Sequence, residues 1–278
     1  MSLGDKPAHV PPPGPSRGEG PLRIGAYHIP LPSEAVLTWP QLCEITASGD
    51  LNDLNRHSNC ENEYREWREP IKAQYGDLET YIRKVRLQWD EEELEEVRER
   101  DRSLAYFRHD WGPDRVRCIP NDWPYGIPDR CGHYVVWCKS PMLHPSLFET
   151  DQTPFEPEER QAIYEAVAYD GVRGLTGGRG GSGKAGGEIR VVGMKTIQLL
   201  KSKEEVATAP TPAGSPRATP SPRQGGEDAA TMAERAHSWA GREVDAYCKK
   251  KWPENEWETA WFCNPPHLRT VPGLSHFQ

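Results

Sequence analysis

Arg117-Cys-Ile-Pro-Asn-Asp-Trp-Pro-Tyr-Gly-Ile-Pro-Asp-Arg-Cys-Gly-His-Tyr-Val-Val-Trp-Cys138 decides the fold class of this chain. Arg117-Cys118-Ile119 is a short extended run. His133 to Cys138 is β-branched and aromatic, which suits a buried strand. Between them Pro124, Gly126 and Pro128 punctuate a loop. Upstream, residues 38–110 read as helical. Thr38 before Trp39-Pro40 is an N-cap with proline in the first turn. Leu51, Leu54, Tyr64, Trp67, Ile71 and Tyr75 recur at helix-face intervals. Gly76 breaks that pattern, and Asp77 caps a new helix carrying Leu78, Tyr81, Ile82 and Val85. Downstream, Pro154 to Tyr169 is helical, with Pro157 in its first turn. Trp239, Val244 and Tyr247 sit on a helix ending in Lys249-Lys250-Lys251, a charge suited to the negative end of the helix dipole. Trp257 to Cys263 reads as a strand with Trp257, Thr259 and Trp261 on one face. The expected class is α+β: an N-terminal helical layer packed on a small, mostly antiparallel sheet, with a disordered insertion.

Gly (25) and Pro (27) are abundant for 278 residues, and they concentrate in two places. The chain therefore divides into a disordered tail (1–21), the first part of the domain (22–173), a low-complexity insertion (174–231) and a last helix–strand unit (232–278). Inside the insertion Ile189 to Leu200 is the only apolar run, a strand or docking segment. Gly178 to Lys184 spells GxxxxGK, but Ala185 follows where a phosphate loop needs Ser or Thr to hold Mg²⁺. Thr211, Ser215, Thr219 and Ser221 each precede proline. They are phosphorylation candidates, and the 174–231 insert is a candidate surface for protein partners.

The formal charge of −8 argues against a non-specific nucleic-acid binder, which needs a basic face. No run approaches the ~18 apolar residues of a membrane span. The acidic run Asp90 to Arg102 reads as a solvated helix face with internal ion pairs. Seven cysteines, no CxxC and no signal-peptide pattern fit a cytoplasmic setting. Cys131-x-His133-x4-Cys138 offers three candidate ligands where structural zinc wants four. Neither a metal nor another cofactor is expected.

Several of these stretches carry a resemblance. Asp122-Trp-Pro-Tyr-Gly126, His133-Tyr-Val-Val-Trp137, Lys251-Trp-Pro-Glu254, Glu256-Trp257 and Trp261-Phe-x-Asn-Pro-Pro-x-Leu-Arg269 resemble the signature stretches of the fungal N-acetylglucosamine-induced protein family. Leu54-x-Arg56 and Gln74-Tyr75-Gly76 fit as well. The likeness spans about 38–170 and 232–278. It implies a cytosolic protein linked to amino-sugar response and supplies no reaction. That family's pattern usually runs past the final His, and this sequence stops at Gln278, so the last strand is expected to be short.

A fainter resemblance is to histidine-triad and galactose-1-phosphate uridylyltransferase-like proteins. The order Asn121-Asp122, His133 to Trp137, Phe262-x-Asn264, Ser275-His276-Phe277-Gln278 is similar to theirs. It implies a nucleophilic His276 and a phosphate-binding Gln278. Leu274 stands where that motif has its first His, a departure that fits an inactive relative. A neutral imidazole can attack a phosphorus and split one displacement into two. Asn264, Arg269 and Gln278 would hold the phosphate. Asn121 and Asp122 would bind hydroxyls, and Trp123, Tyr125 and His133 complete the substrate-binding set. Two functions follow: a site for a phosphorylated sugar or nucleotide, or a non-enzymatic regulatory scaffold. Convergence of Asp122, Asn264, Arg269, His276 and Gln278 on one pocket favours the first.

Overall fold

The structure, a computed structural model, describes residues 22–24, 27–29, 37–89, 105–127, 131–177, 193–208 and 228–278. The expected tail 1–21, the acidic run, the GxxxxGK stretch and Thr211, Ser215, Thr219 and Ser221 lie outside the described residues.

In chain order the elements are β1 (Leu22–Ile24), β2 (Tyr27–Ile29), α1 (Trp39–Ser48), α2 (Ser58–Tyr75), α3 (Leu78–Tyr81), β3 (Val116–Pro120), β4 (Tyr134–Cys138), α4 (Pro157–Asp170), β5 (Val172–Thr176), α5 (Met194–Thr208), α6 (Ala229–Lys251), β6 (Thr259–Cys263) and β7 (Ser275–Phe277). Local chemistry sets the helix ends. Thr38 and Gln41 form a capping box at the start of α1, and Gly49 ends it at φ 84°. Asp77 accepts the Thr80 N–H at 2.6 Å and opens α3, which widens into a π-helical segment over Ile82–Leu87.

β3, β4 and β7 form an antiparallel sheet in that order, and β5 pairs antiparallel with β6. Two reciprocal backbone bonds between Phe262 and Gln278, each 2.9 Å, join the two sheets. The combined strand order is β3-β4-β7-β6-β5. β7 is 3 residues long.

The sheet is covered on both faces. Val136, Cys138, Trp261, Cys263 and Phe277 pack on Ile163 and Val167 of α4 and on Ala240 and Val244 of α6. Val135 and Trp137 meet Leu87, Trp89, Val271 and Leu274 on the opposite face. The α+β class holds, with a second helical layer beyond the single N-terminal one expected. β4 explains why: its residues from Val135 to Cys138 are all buried, so both faces need cover.

Two sequence expectations change. Trp257 lies before β6 and is 54 % exposed, so it is not part of that strand. The 174–231 stretch is not featureless: β5 runs into it to Thr176, and α5 lies within it. The start of α5 is fixed by a buried network. Asp170 Oδ2 accepts from the Thr196 N–H at 3.1 Å and from its hydroxyl at 3.0 Å. Thr196 Oγ1 lies 2.8 Å from His237 Nε2 on α6. Among the described residues no helix is long and apolar enough to cross a membrane.

Candidate functional site

A cavity of about 330 Å³ opens where α2 and α3 face the sheet. The WPYG loop follows β3 and the NPPHLR loop follows β6, and both are stiffened by proline. Both loops contribute to the cavity's lining, and Tyr125, Ile127 and Leu268 pack against the same cluster of Leu42, Leu51, Leu54 and Phe262. Asp122, Asn264, His276 and Gln278 all line this cavity, with Asn121, Trp123, Tyr125, Arg56 and Arg86. Four of the five residues whose convergence favours a small-molecule site therefore meet in one place. Arg269 is not in the lining; its Nε donates to the Asn264 carbonyl at 2.9 Å and braces the loop.

The positive groups come from the helical layer. Arg86 holds Asp122 with a two-pronged fork, Nε to Oδ2 at 2.7 Å and Nη2 to Oδ1 at 2.5 Å. Burial pushes the Asp122 carboxyl up to about 6, while the Arg86 guanidinium pulls it down. Arg86 sits in the π-helical segment. Such wide turns recur at functional sites because they shift a side chain off the regular helical face. Nothing in Ile82-Arg-Lys-Val-Arg-Leu87 signals that shift, and Arg86 is the residue sequence reasoning missed. Arg56 was legible only as part of Leu54-x-Arg56. Its Nε donates to the Trp123 carbonyl at 3.1 Å, its Nη1 pairs with Glu61 at 3.1 Å, and its guanidinium lies 4.2 Å from the centre of the Tyr64 ring.

His276 is buried against Trp137, ring centres 4.5 Å apart. Its Nδ1 lies 2.9 Å from the Leu274 carbonyl. A carbonyl only accepts, so Nδ1 carries the proton and Nε2 keeps its lone pair. Burial lowers the pKa of this imidazole, which keeps it neutral. Among the described residues Nε2 has no hydrogen-bond partner.

His133 is placed differently. Its Nδ1 accepts the Tyr125 N–H at 3.3 Å, so its proton sits on Nε2, which donates to Gln278 Oε1 at 2.7 Å. Gln278 Nε2 in turn donates to the Tyr125 hydroxyl at 3.4 Å. Asn121 Oδ1 accepts from the Trp123 N–H at 2.9 Å and fixes the start of the loop. Burial holds the His133 pKa down at about 4. This imidazole pins the WPYG loop to the end of β7 and lines a second cavity on the other side of that network. Trp123 is wall material, 5.2 Å from Trp67 and 5.5 Å from Tyr64 between ring centres.

The lining is rich in donors. Tyr81 Oη, Trp67 Nε1 and Trp137 Nε1 belong to lining residues and have no hydrogen-bond partner among the described residues. Acceptor oxygens would suit this site. Among the described residues no group of three or more His, Cys, Asp or Glu side chains could hold a metal ion.

Residues 38–173 match a family model described as a protein of unknown function (DUF3605). The matched stretch ends within β5, so it includes the WPYG loop, Arg56 and Arg86 but none of β6, β7 or the NPPHLR loop. No curated protein and no solved structure matches the chain.

Proposed function

We propose that the polar cavity binds a small phosphorylated sugar and that His276 carries phosphoryl or nucleotidyl transfer on it. The observation behind this reading is the convergence of Asp122, Asn264, His276 and Gln278, from three separate segments, beside Arg56 and Arg86. Arg86 lies in the lining paired with Asp122, and Arg56 lies in the lining with its counter-charge, Glu61, outside it; a planar fork suits phosphate. Ligand pockets run from roughly 300 to 1,000 Å³. At about 330 Å³ this cavity suits a sugar monophosphate better than a nucleotide sugar. The resemblance to an amino-sugar-responsive family makes hexosamine phosphates the first to test.

The chemistry uses His276 as it stands. The Nε2 lone pair forms a bond to phosphorus, and the bond from phosphorus to the leaving oxygen breaks. That oxygen departs with the electron pair and takes a proton from water. A second water or an acceptor hydroxyl then attacks the phosphohistidine and restores the imidazole. Arg56 and the Gln278 and Asn264 amides would stabilise the charge on the transferred group.

Calorimetry with glucosamine 6-phosphate, against glucosamine and inorganic phosphate alone, tests the binding. The sugar phosphate should bind, and Arg56→Lys, which keeps the charge but loses the fork, should weaken it at least tenfold, about 1.4 kcal/mol. His276→Ala should keep the affinity and lose any acid-labile phosphoprotein formed from a phosphoryl donor. No binding of any sugar phosphate at millimolar concentration, or an unchanged affinity in Arg56→Lys, overturns the reading.

A further inference from the structure

Each guanidinium that lines the polar cavity already has a carboxylate. Arg86 is held by Asp122, and Arg56 by Glu61. These four charges cancel. A phosphate entering beside them brings negative charge that nothing balances, unless one carboxylate gives up its own. The surroundings of the two carboxylates decide which.

Glu61 sits at the edge. Its side chain is 32 % exposed and has a second partner, Arg65, at 3.0 Å. Burial raises its pKa, but bonds from Arg65 and Arg56 outweigh that and hold it below the ordinary carboxylate value. Without Arg56 it still has Arg65 and water. Asp122 is enclosed, its side chain 14 % exposed. Among the described residues its carboxylate has no hydrogen-bond or ion-pair partner but Arg86, and the Arg86 guanidinium none but Asp122. Separating the two therefore breaks no other such contact. Once the fork is gone, a buried carboxylate with no partner favours its neutral form. Burial already pushes Asp122 up to about 6 while Arg86 pulls the other way.

The other titratable groups in the lining are Arg56 before α2, Tyr64 on α2, Tyr81 on α3, Tyr125 on the WPYG loop and His276 on β7; β3 and the NPPHLR loop add none. Arginines stay charged and phenols stay neutral between about pH 5 and 8. Burial keeps His276 neutral. Asp122 is the group in this lining whose charge can change.

We propose that Arg86 is the anion receptor of this cavity, with Asp122 holding its fork until an entering phosphate or sulfate group takes it over and the displaced carboxylate binds one proton from solvent. This rests on the sugar-phosphate reading and adds to it the residue that receives the anion. Arg56, tied to Glu61 and to the Trp123 carbonyl, stays in place as a second donor. The exchange fixes the sign of the pH dependence. Above about pH 6 the empty site holds Asp122 charged and the filled site holds it neutral. Affinity therefore falls as pH rises, towards tenfold per unit.

A phosphate ester binds its own second proton near pH 6, so the proton count uses N-acetylglucosamine 6-sulfate, whose ester and amide do not titrate in this range. Calorimetry on the full chain at about pH 7.5, in two non-phosphate buffers of different ionisation enthalpy, reads the protons taken up. The sulfate ester should bind with uptake of about one proton. Asp122→Asn frees the Arg86 fork and leaves no carboxylate to protonate. It should bind the ester at least tenfold more tightly, about 1.4 kcal/mol, with no uptake. His276→Ala should keep the uptake. Should Asp122→Asn fail to fold, the wild-type proton count decides alone. Binding without uptake, equal or weaker binding by folded Asp122→Asn, or loss of uptake in His276→Ala overturns the exchange and leaves the sugar-phosphate reading standing. No binding of this ester or of N-acetylglucosamine 6-phosphate at millimolar concentration overturns both.

Discussion

His133 and His276 show how residue type and residue role separate. Both are histidines near strand ends, and the sequence placed both in one substrate site. The structure distinguishes them by what each nitrogen meets. His133 has both nitrogens engaged by Tyr125 and Gln278, whereas His276 has one tied to Leu274. Hydrogen-bond partners 145 and 8 positions away in sequence leave no local pattern to read. The neutral state of His133 has a consequence for stability. Its folded pKa, about 4, lies below the ordinary 6.5. Between those values the unfolded chain binds a proton that the folded chain does not, so stability is full above pH 6.5 and falls as pH falls towards 4. The loss approaches, at most, on the order of 3 kcal/mol. His276, also lowered, acts with the same sign, and Asp122, raised to about 6, acts with the opposite sign. The difference between wild type and His133→Gln isolates the term. Urea unfolding at pH 7 and pH 5 should show a smaller loss on acidification in the variant, and an equal loss in both would contradict the neutral assignment.

At the scale of elements, the parts with local signals were legible. Thr38, Asp77 and Pro157 mark helix starts because capping is a contact within one turn. β4 was legible from its β-branched run. β5 and α5 were not, because their causes are distant. Gly174 reads as the first residue of a glycine-rich linker, yet in β5 a Cβ there would come within 2.4 Å of the Trp261 ring, so the glycine makes room for a tryptophan. α5 is held by Thr196, Asp170 and His237, three residues on three helices. Asp170 is buried, which raises its pKa, but bonds from His237, Arg173 and Thr196 more than offset this and keep it charged. Arg173 is equally buried and pairs with Asp170 at 3.2 Å. Asp170→Asn leaves that guanidinium without its counter-charge and should cost about 3–5 kcal/mol. Thr196→Val removes only a hydroxyl and should cost about 1–3 kcal/mol. Urea unfolding checks both magnitudes. If α5 docks as described, limited proteolysis should also cut it first in Thr196→Val, and equal protection would rule out Thr196 as its anchor.

At the scale of the whole molecule, the sheet is assembled from both halves of the chain. β3 and β4 come from the first half, and β6 and β7 from the last fifty-odd residues, with β7 wedged between β4 and β6. Among the described residues β5 pairs only with β6. Residues 38–173, the stretch matched by the family model, thus contain the β3–β4 hairpin and the start of β5 but neither of the strands that join them. They also lack α6, whose Ala236, Ala240, Val244 and Cys248 cover one face of the sheet. The polar cavity depends on the same union, since Arg56, Arg86 and Asp122 come from one half and Asn264, His276 and Gln278 from the other. A cut within 209–227, between α5 and α6, breaks no described contact. A chain nicked there should elute as one particle, melt in one transition and keep its sugar-phosphate affinity. Residues 1–208 and 228–278 expressed apart should each lack a cooperative melt, because each would expose strand edges and an apolar sheet face. Mixing them should restore the transition. Separation of the nicked pieces on gel filtration, or a cooperative melt of 1–208 alone, would show that the first half closes its sheet without β6 and β7.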